Sequence, residues 1–144
     1  MKAIGFKTSL PIADKESFIA FETPKPIPGK RDLLVKISAV SVNPVDFKIR
    51  QNSAKDTVLE TPKIIGWDAV GIVEAVGENV RLFEVGDPVF YAGDITKQGS
   101  NAEYQIIDER IVGKKPTSLS IEEAAVIPLT GLTAWEILFD RIRI

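Results

Sequence analysis

Prolines and glycines interrupt the first 115 residues so often that only short segments remain between them, and those segments are rich in Val, Ile, Phe and Thr. This spacing predicts a mainly β fold. The candidate strands are Lys2 to Phe6, Ser17 to Glu22, Leu33 to Val42, Gly71 to Val76, Val89 to Tyr91 and Ala102 to Ile107. Between the second and third, PKPIPGKRD carries three prolines and a glycine in nine residues, which cannot pair inside a sheet and reads as an exposed loop. Leu33, Val35, Ile37 and Ala39 alternate with Lys36 and Ser38, the period of a half-buried strand. Glycines at 66, 71, 77, 86, 93 and 99 suit a strongly bent, barrel-like sheet better than a flat sandwich.

Two further segments depart from the β pattern. Asn43 precedes Pro44, so an N-cap residue is followed by the residue preorganised for the first helical position, and VDFKIR continues as a short helix. Ser120 and Glu123 form a capping box ahead of an apolar run, and Pro128 ends that helix or starts the next. In LTGLTAWEILFDRI, Leu132, Trp135, Leu138, Phe139 and Ile142 recur at helical spacing opposite Glu136, Asp140 and Arg141. That apolar face needs a cover, and the chain stops two residues after Ile142, which predicts a fragment of a longer protein.

The composition removes whole classes of chemistry. With no histidine and no cysteine in 144 residues, the chain holds no Cys/His zinc site, Ser-His-Asp triad, thiolate nucleophile or disulfide. Its net charge of -2 comes from interspersed signs, without the basic stripe of a nucleic-acid binder or the basic amphipathic helix of a membrane-surface binder. No leader pattern follows Met1, and no apolar run reaches the roughly 18 residues of a membrane span. A cytoplasmic protein acting on small molecules is the expectation.

MKAIGF, LLVKISAVSVNPVDFKIR, PKIIGWDAVGIVEAVGENV, FEVGDPV and KKPTSLSIEEAAVIPLTGLTAWEIL occur in one order and at one spacing. Together they resemble the N-terminal catalytic domain of the medium-chain dehydrogenase/reductase superfamily. Asn43-Pro-Val-Asp46 is similar to the quinone oxidoreductase branch, and the whole is similar to bacterial zinc-type alcohol dehydrogenase-like proteins. The resemblance implies a partly open GroES-like β-barrel over residues 1–125 and a junction helix over 126–144 that leads to a Rossmann domain outside this sequence. Zinc-dependent branches place ligands where this chain has Asn43, Trp67 and a residue near Val126, so no metal is expected.

The implied activity is NADPH-dependent reduction of quinones or activated enones by hydride transfer, in a homodimeric parent whose missing domain binds most of the cofactor; this chain alone is expected to be inactive. Thr130, Asn43 and Val45 would then lie against the nicotinamide, with Asn43 holding a substrate carbonyl. Lys48, Trp67 and Tyr91 would line the substrate pocket. Each residue also has a plainer reading: Asn43 as a corner and N-cap residue, Thr130 as a helix N-cap, Trp67 as core, and Asp46 as a structural hydrogen-bond acceptor. For a proton donor, Lys48, Tyr91, Tyr104 and solvent stay open. A different class of function also fits the same barrel, namely a binding or assembly module such as a co-chaperonin. Asn43→Asp is expected to keep the fold, because the N-cap acceptor survives.

Overall fold

A computed structural model describes residues 1–144 and contains eight strands in two antiparallel sheets. The strands are β1 (Lys2–Phe6), β2 (Ile19–Glu22), β3 (Asp32–Val40), β4 (Lys63–Ile64), β5 (Ala69–Val76), β6 (Pro88–Tyr91), β7 (Tyr104–Asp108) and β8 (Gly113–Lys114). One sheet runs β2-β1-β4 and the other β7-β3-β5-β6-β8. A single bridge, Ala3 to Ala102, connects them, so the barrel stays open. Helix α1 (Pro44–Asn52) follows β3, while α2 (Ile121–Ala125) and α3 (Pro128–Trp135) come last, the latter continuing as a π-helical turn over Glu136–Ile142. None is long and apolar enough to cross a membrane.

The six expected strands are all present, with shifted ends that have local causes. The third stops at Val40 rather than Val42; the Ser41 amide adds one last bond to the Asp68 carbonyl at 3.2 Å before the chain turns into the Asn43-Pro44 helix start. The second starts at Ile19 because the buried Ser17 is held by the preceding turn, its hydroxyl donating to the Ile12 carbonyl at 3.2 Å. Ala102 and Glu103 pair toward β1 before β7 begins, with the Glu103 amide donating to the Lys2 carbonyl at 3.1 Å. Leu34 is buried together with Leu33 and Val35, because β3 carries a register shift between Leu34 and Val35 that breaks strict alternation.

Leu33, Val35, Ala69, Val73, Val89, Tyr91 and Ile107 form the main core on the five-stranded sheet. A second cluster of Phe6, Ala54, Ile65 and Trp67 fills the space under α1. Gly71 is required between them, since any side chain there would run into the Lys36 backbone of β3.

Glu109 ties the end of β7 to the loop after β5. Its side chain is fully buried, pairs with Arg31 at 3.0 Å, and accepts from the backbone amides of Arg81 and Leu82 at 2.8 and 2.9 Å. Those two amides hold its carboxyl below the ordinary value of 4.5. A depressed folded-state value means that the stabilisation is complete above about pH 4.5 and disappears as pH falls through the lower value. Glu109→Gln keeps the shape but turns donors toward donors. We expect its melting temperature to lie below wild type at pH 7, with the gap narrowing toward pH 3 in a thermal melt series.

Candidate functional site

Gly66 sits at φ +111, a left-handed conformation that glycine adopts without a steric penalty, and it turns the chain so that Trp67 and Asp68 enter β5 pointing inward. Trp67 is 1% exposed and packs in the cluster under α1. Its indole nitrogen is buried without a hydrogen-bond partner, so the ring contributes through volume alone.

Asp68 is fully buried, and no lysine or arginine pairs with it. Its Oδ2 accepts from Asn43 Nδ2 at 2.8 Å and from Ser41 Oγ at 3.0 Å, while Oδ1 accepts from the Leu129 backbone amide at 2.8 Å. The carboxylate thus joins the corner between β3 and α1 to the first turn of α3. Sequence reasoning had assigned no role to Asp68 or Ser41. The available signal was one charged residue inside the apolar run IIGWDAVGIV.

Asn43 takes the N-cap position in extended conformation, with Pro44 first in the helix, as the sequence implies. Asp46 completes the corner by accepting from the Asn43 backbone amide at 2.8 Å, the structural role expected of it. Burial pushes the Asp46 carboxyl up, opposed by the Asn43 and Gly66 amides. The Asn43 amide nitrogen also reaches Ser41 Oγ at 3.3 Å, so both of its hydrogens have acceptors. This contact overturns the expectation for Asn43→Asp, since the new carboxyl would face Asp68 at hydrogen-bond distance in a buried site.

The other expected residues divide between rim, core and surface. Thr130 is exposed and is the third residue of α3, with its hydroxyl donating back to the Val126 and Ile127 carbonyls at 2.9 and 3.1 Å. It is not an N-cap, because Ile127 occupies that position. Val45 is half-buried against the Trp67 cluster. Lys48 lies exposed on α1. Tyr91 is a core residue whose hydroxyl donates to Gln105 Oε1 at 2.9 Å, and burial pushes its phenol far above the ordinary value. Tyr104 lies on β7 under Lys25, whose ammonium is 3.9 Å from the ring centre.

Beside this corner runs an apolar groove of about 770 Å³ lined by Tyr91, Gly93, Ile127, Leu129, Leu132 and Trp135. Trp67 backs it through Gly93, where an added Cβ would stand 3.0 Å from the indole.

Residues 29–117 match the alcohol dehydrogenase GroES-like domain. The chain belongs to this family. It is thereby a member of the medium-chain dehydrogenase/reductase superfamily. It is 48% identical over all 144 residues to a zinc-type alcohol dehydrogenase-like protein of Staphylococcus aureus, and it spans 42% of that relative's length. A Rhizobium etli protein, whose crystal structure bears the name of a zinc-dependent alcohol dehydrogenase, superposes with a TM-score of 0.93 at 52% identity, over 99% of this chain and 41% of that one. The Escherichia coli quinone oxidoreductase, crystallised with NADPH, superposes with a TM-score of 0.77 at 25% identity, over 99% and 41% of the two chains.

The names of two of these relatives invoke zinc, but the donor set of this chain does not fit the ion. The chain has no Cys or His, the resemblance puts the zinc-ligand positions at Asn43, Trp67 and a residue near Val126, and no three carboxylates gather elsewhere to replace them.

Proposed function

We propose that this chain is the catalytic-domain part of a cytoplasmic, NADPH-dependent reductase of quinones or activated enones that works without zinc. Residues 1–125 form the GroES-like domain, and residues 126–144 lead toward a dinucleotide-binding domain in the remaining length of the protein. The observation that carries the reading is the amide of Asn43, fixed by Asp68 beside the N-terminus of α3 where zinc-dependent relatives would hold metal.

The residues present suit a nicotinamide at this rim. In this reading Asn43 and Val45 face the ring from one side and Thr130 from the other, supported by the Asp68 carboxylate, which links Asn43 to the turn of α3 that carries Thr130. When bound, NADPH supplies a hydride to the electrophilic carbon of the substrate. Asn43 then donates to the carbonyl oxygen as negative charge develops on it, exchanging its longer bond, the 3.3 Å contact to Ser41, for the substrate. The apolar groove wall of Tyr91, Leu129, Leu132 and Trp135 excludes water from the ring faces. Tyr91 lines the groove and Trp67 backs it through Gly93, while Lys48, exposed on α1, is assigned to the substrate side. The buried Tyr91 hydroxyl is committed to Gln105 and Tyr104 lies on β7 under Lys25, which leaves Lys48 and solvent as proton donors.

An NADPH-oxidation assay tests this reading on the full-length enzyme with a panel of quinones and enones. We expect turnover with an activated acceptor, and none from the 144-residue chain alone, because the pyrophosphate site lies in the missing domain. Oxidation of simple alcohols without quinone or enone reduction would contradict it.

A further inference from the structure

The buried carboxylate of Asp68 has more partners than its place in a strand requires. A fully desolvated carboxylate without a cation needs charge-assisted hydrogen bonds to replace its lost hydration. Asp68 collects them from elements far apart in sequence, namely Ser41 and Asn43 on one side and Leu129, 61 residues further on, at the other. Helix α3 depends on this contact. Its own N-cap, Ile127, offers no side-chain acceptor, so Asp68 supplies the missing cap at the positive end of the helix dipole. Oδ2 meanwhile fixes which way the Asn43 amide presents its nitrogen. One side chain therefore sets both the amide proposed to hold the substrate and the helix that carries Thr130.

We infer that Asp68 is a positioning residue for the reductase reaction, holding Asn43 and the start of α3 in one register. The inference rests on the proposed reductase reading. It goes beyond that reading by making the two sides of the rim interdependent, so that a change at Asn43 is felt at Leu129 although the two residues do not touch each other through hydrogen bonds.

The test is a double-mutant cycle in the full-length enzyme, read as kcat and KM with NADPH and a reducible quinone. Asp68→Asn keeps the size but turns an amide toward one of its former donors. It should lower kcat by about 10- to 100-fold, up to the loss expected when the Asn43 donor itself is removed, with a much smaller change in KM. In the Asn43→Ala background the same substitution should cost several-fold less, because one of its two targets is already gone and only the Leu129 contact is left to lose. Equal losses in the two backgrounds, or an unchanged kcat, would overturn the inference.

A second readout needs no activity. In amide NMR spectra of the full-length protein, Asn43→Ala should shift the Leu129 backbone resonance through the shared carboxylate. An unmoved Leu129 resonance would also overturn the inference, and this arm decides the question if Asp68→Asn does not fold. Absence of turnover with every acceptor would count against the reductase reading, leaving the NMR result to judge Asp68.

Discussion

Asn43→Ala in the full-length enzyme should lower kcat for quinone or enone reduction by about 100-fold, the usual loss when one donor to a developing oxyanion is removed. The substitution also leaves Asp68 with one fewer donor in a buried site, at a stability cost of about 1–3 kcal/mol. Asn43→Asp separates the two effects. Its introduced carboxyl faces Asp68, and a like charge at that distance raises its folded-state pKa above the unfolded value of about 3.9. A raised value means that the stability of this variant is complete below about pH 4 and is lost as pH rises through the folded-state pKa. Thermal melts should therefore show Asn43→Asp closest to wild type near pH 4 and furthest below it at pH 8. A pH-independent gap would mean that the Asn43–Asp68 contact is not formed in solution.

Trp67→Ala should destabilise the domain by roughly 3–5 kcal/mol, enough to lower the melting temperature by about 10 °C. Trp67 is the largest fully buried side chain and fills the cluster of Phe6, Ala54 and Ile65 under α1. Trp67→Phe should cost far less. It shortens the ring but also removes an indole N–H that makes no hydrogen bond, so an unsatisfied donor leaves with the lost volume. A Trp67→Phe variant as unstable as Trp67→Ala would show that the indole nitrogen has a partner and that volume is not the main contribution.

Much of the fold was legible because strands announce themselves locally. The alternation in β3, the Asn43-Pro44 corner and the Ser120–Glu123 capping box each depend on residues a few positions apart, and each formed where the sequence placed it. Strands β4 and β8 were missed because two residues carry no periodicity. The plainer reading of Thr130 as a helix N-cap failed for a local reason, since Pro128 starts the helix two positions earlier and leaves Ile127 as the N-cap.

The candidate site was half visible. Asn43 could be chosen from its corner position and from the family resemblance, because both rest on contiguous residues. Asp68 stood out only as a lone charge in an apolar run, and its role was hidden because its partner Leu129 lies 61 residues away with nothing local to indicate the contact. The Asn43–Asp68 contact also joins residues distant in sequence, 25 positions apart, which is why Asn43→Asp is expected from the sequence to keep the fold although its carboxyl would meet Asp68. Tyr91, a candidate proton donor on residue type alone, is removed from that role by burial and by its bond to Gln105.

The central claim is that hydrogen bonds set by Asn43, and not a metal, stabilise the oxygen that gains charge. It is tested most directly by dialysing the full-length enzyme against a strong chelator, measuring its zinc content, and following NADPH oxidation with a reducible quinone. Turnover should be undiminished, with far less than one zinc per chain. Stoichiometric zinc that survives dialysis, or activity that is lost on chelation and returns when zinc is added, would contradict it.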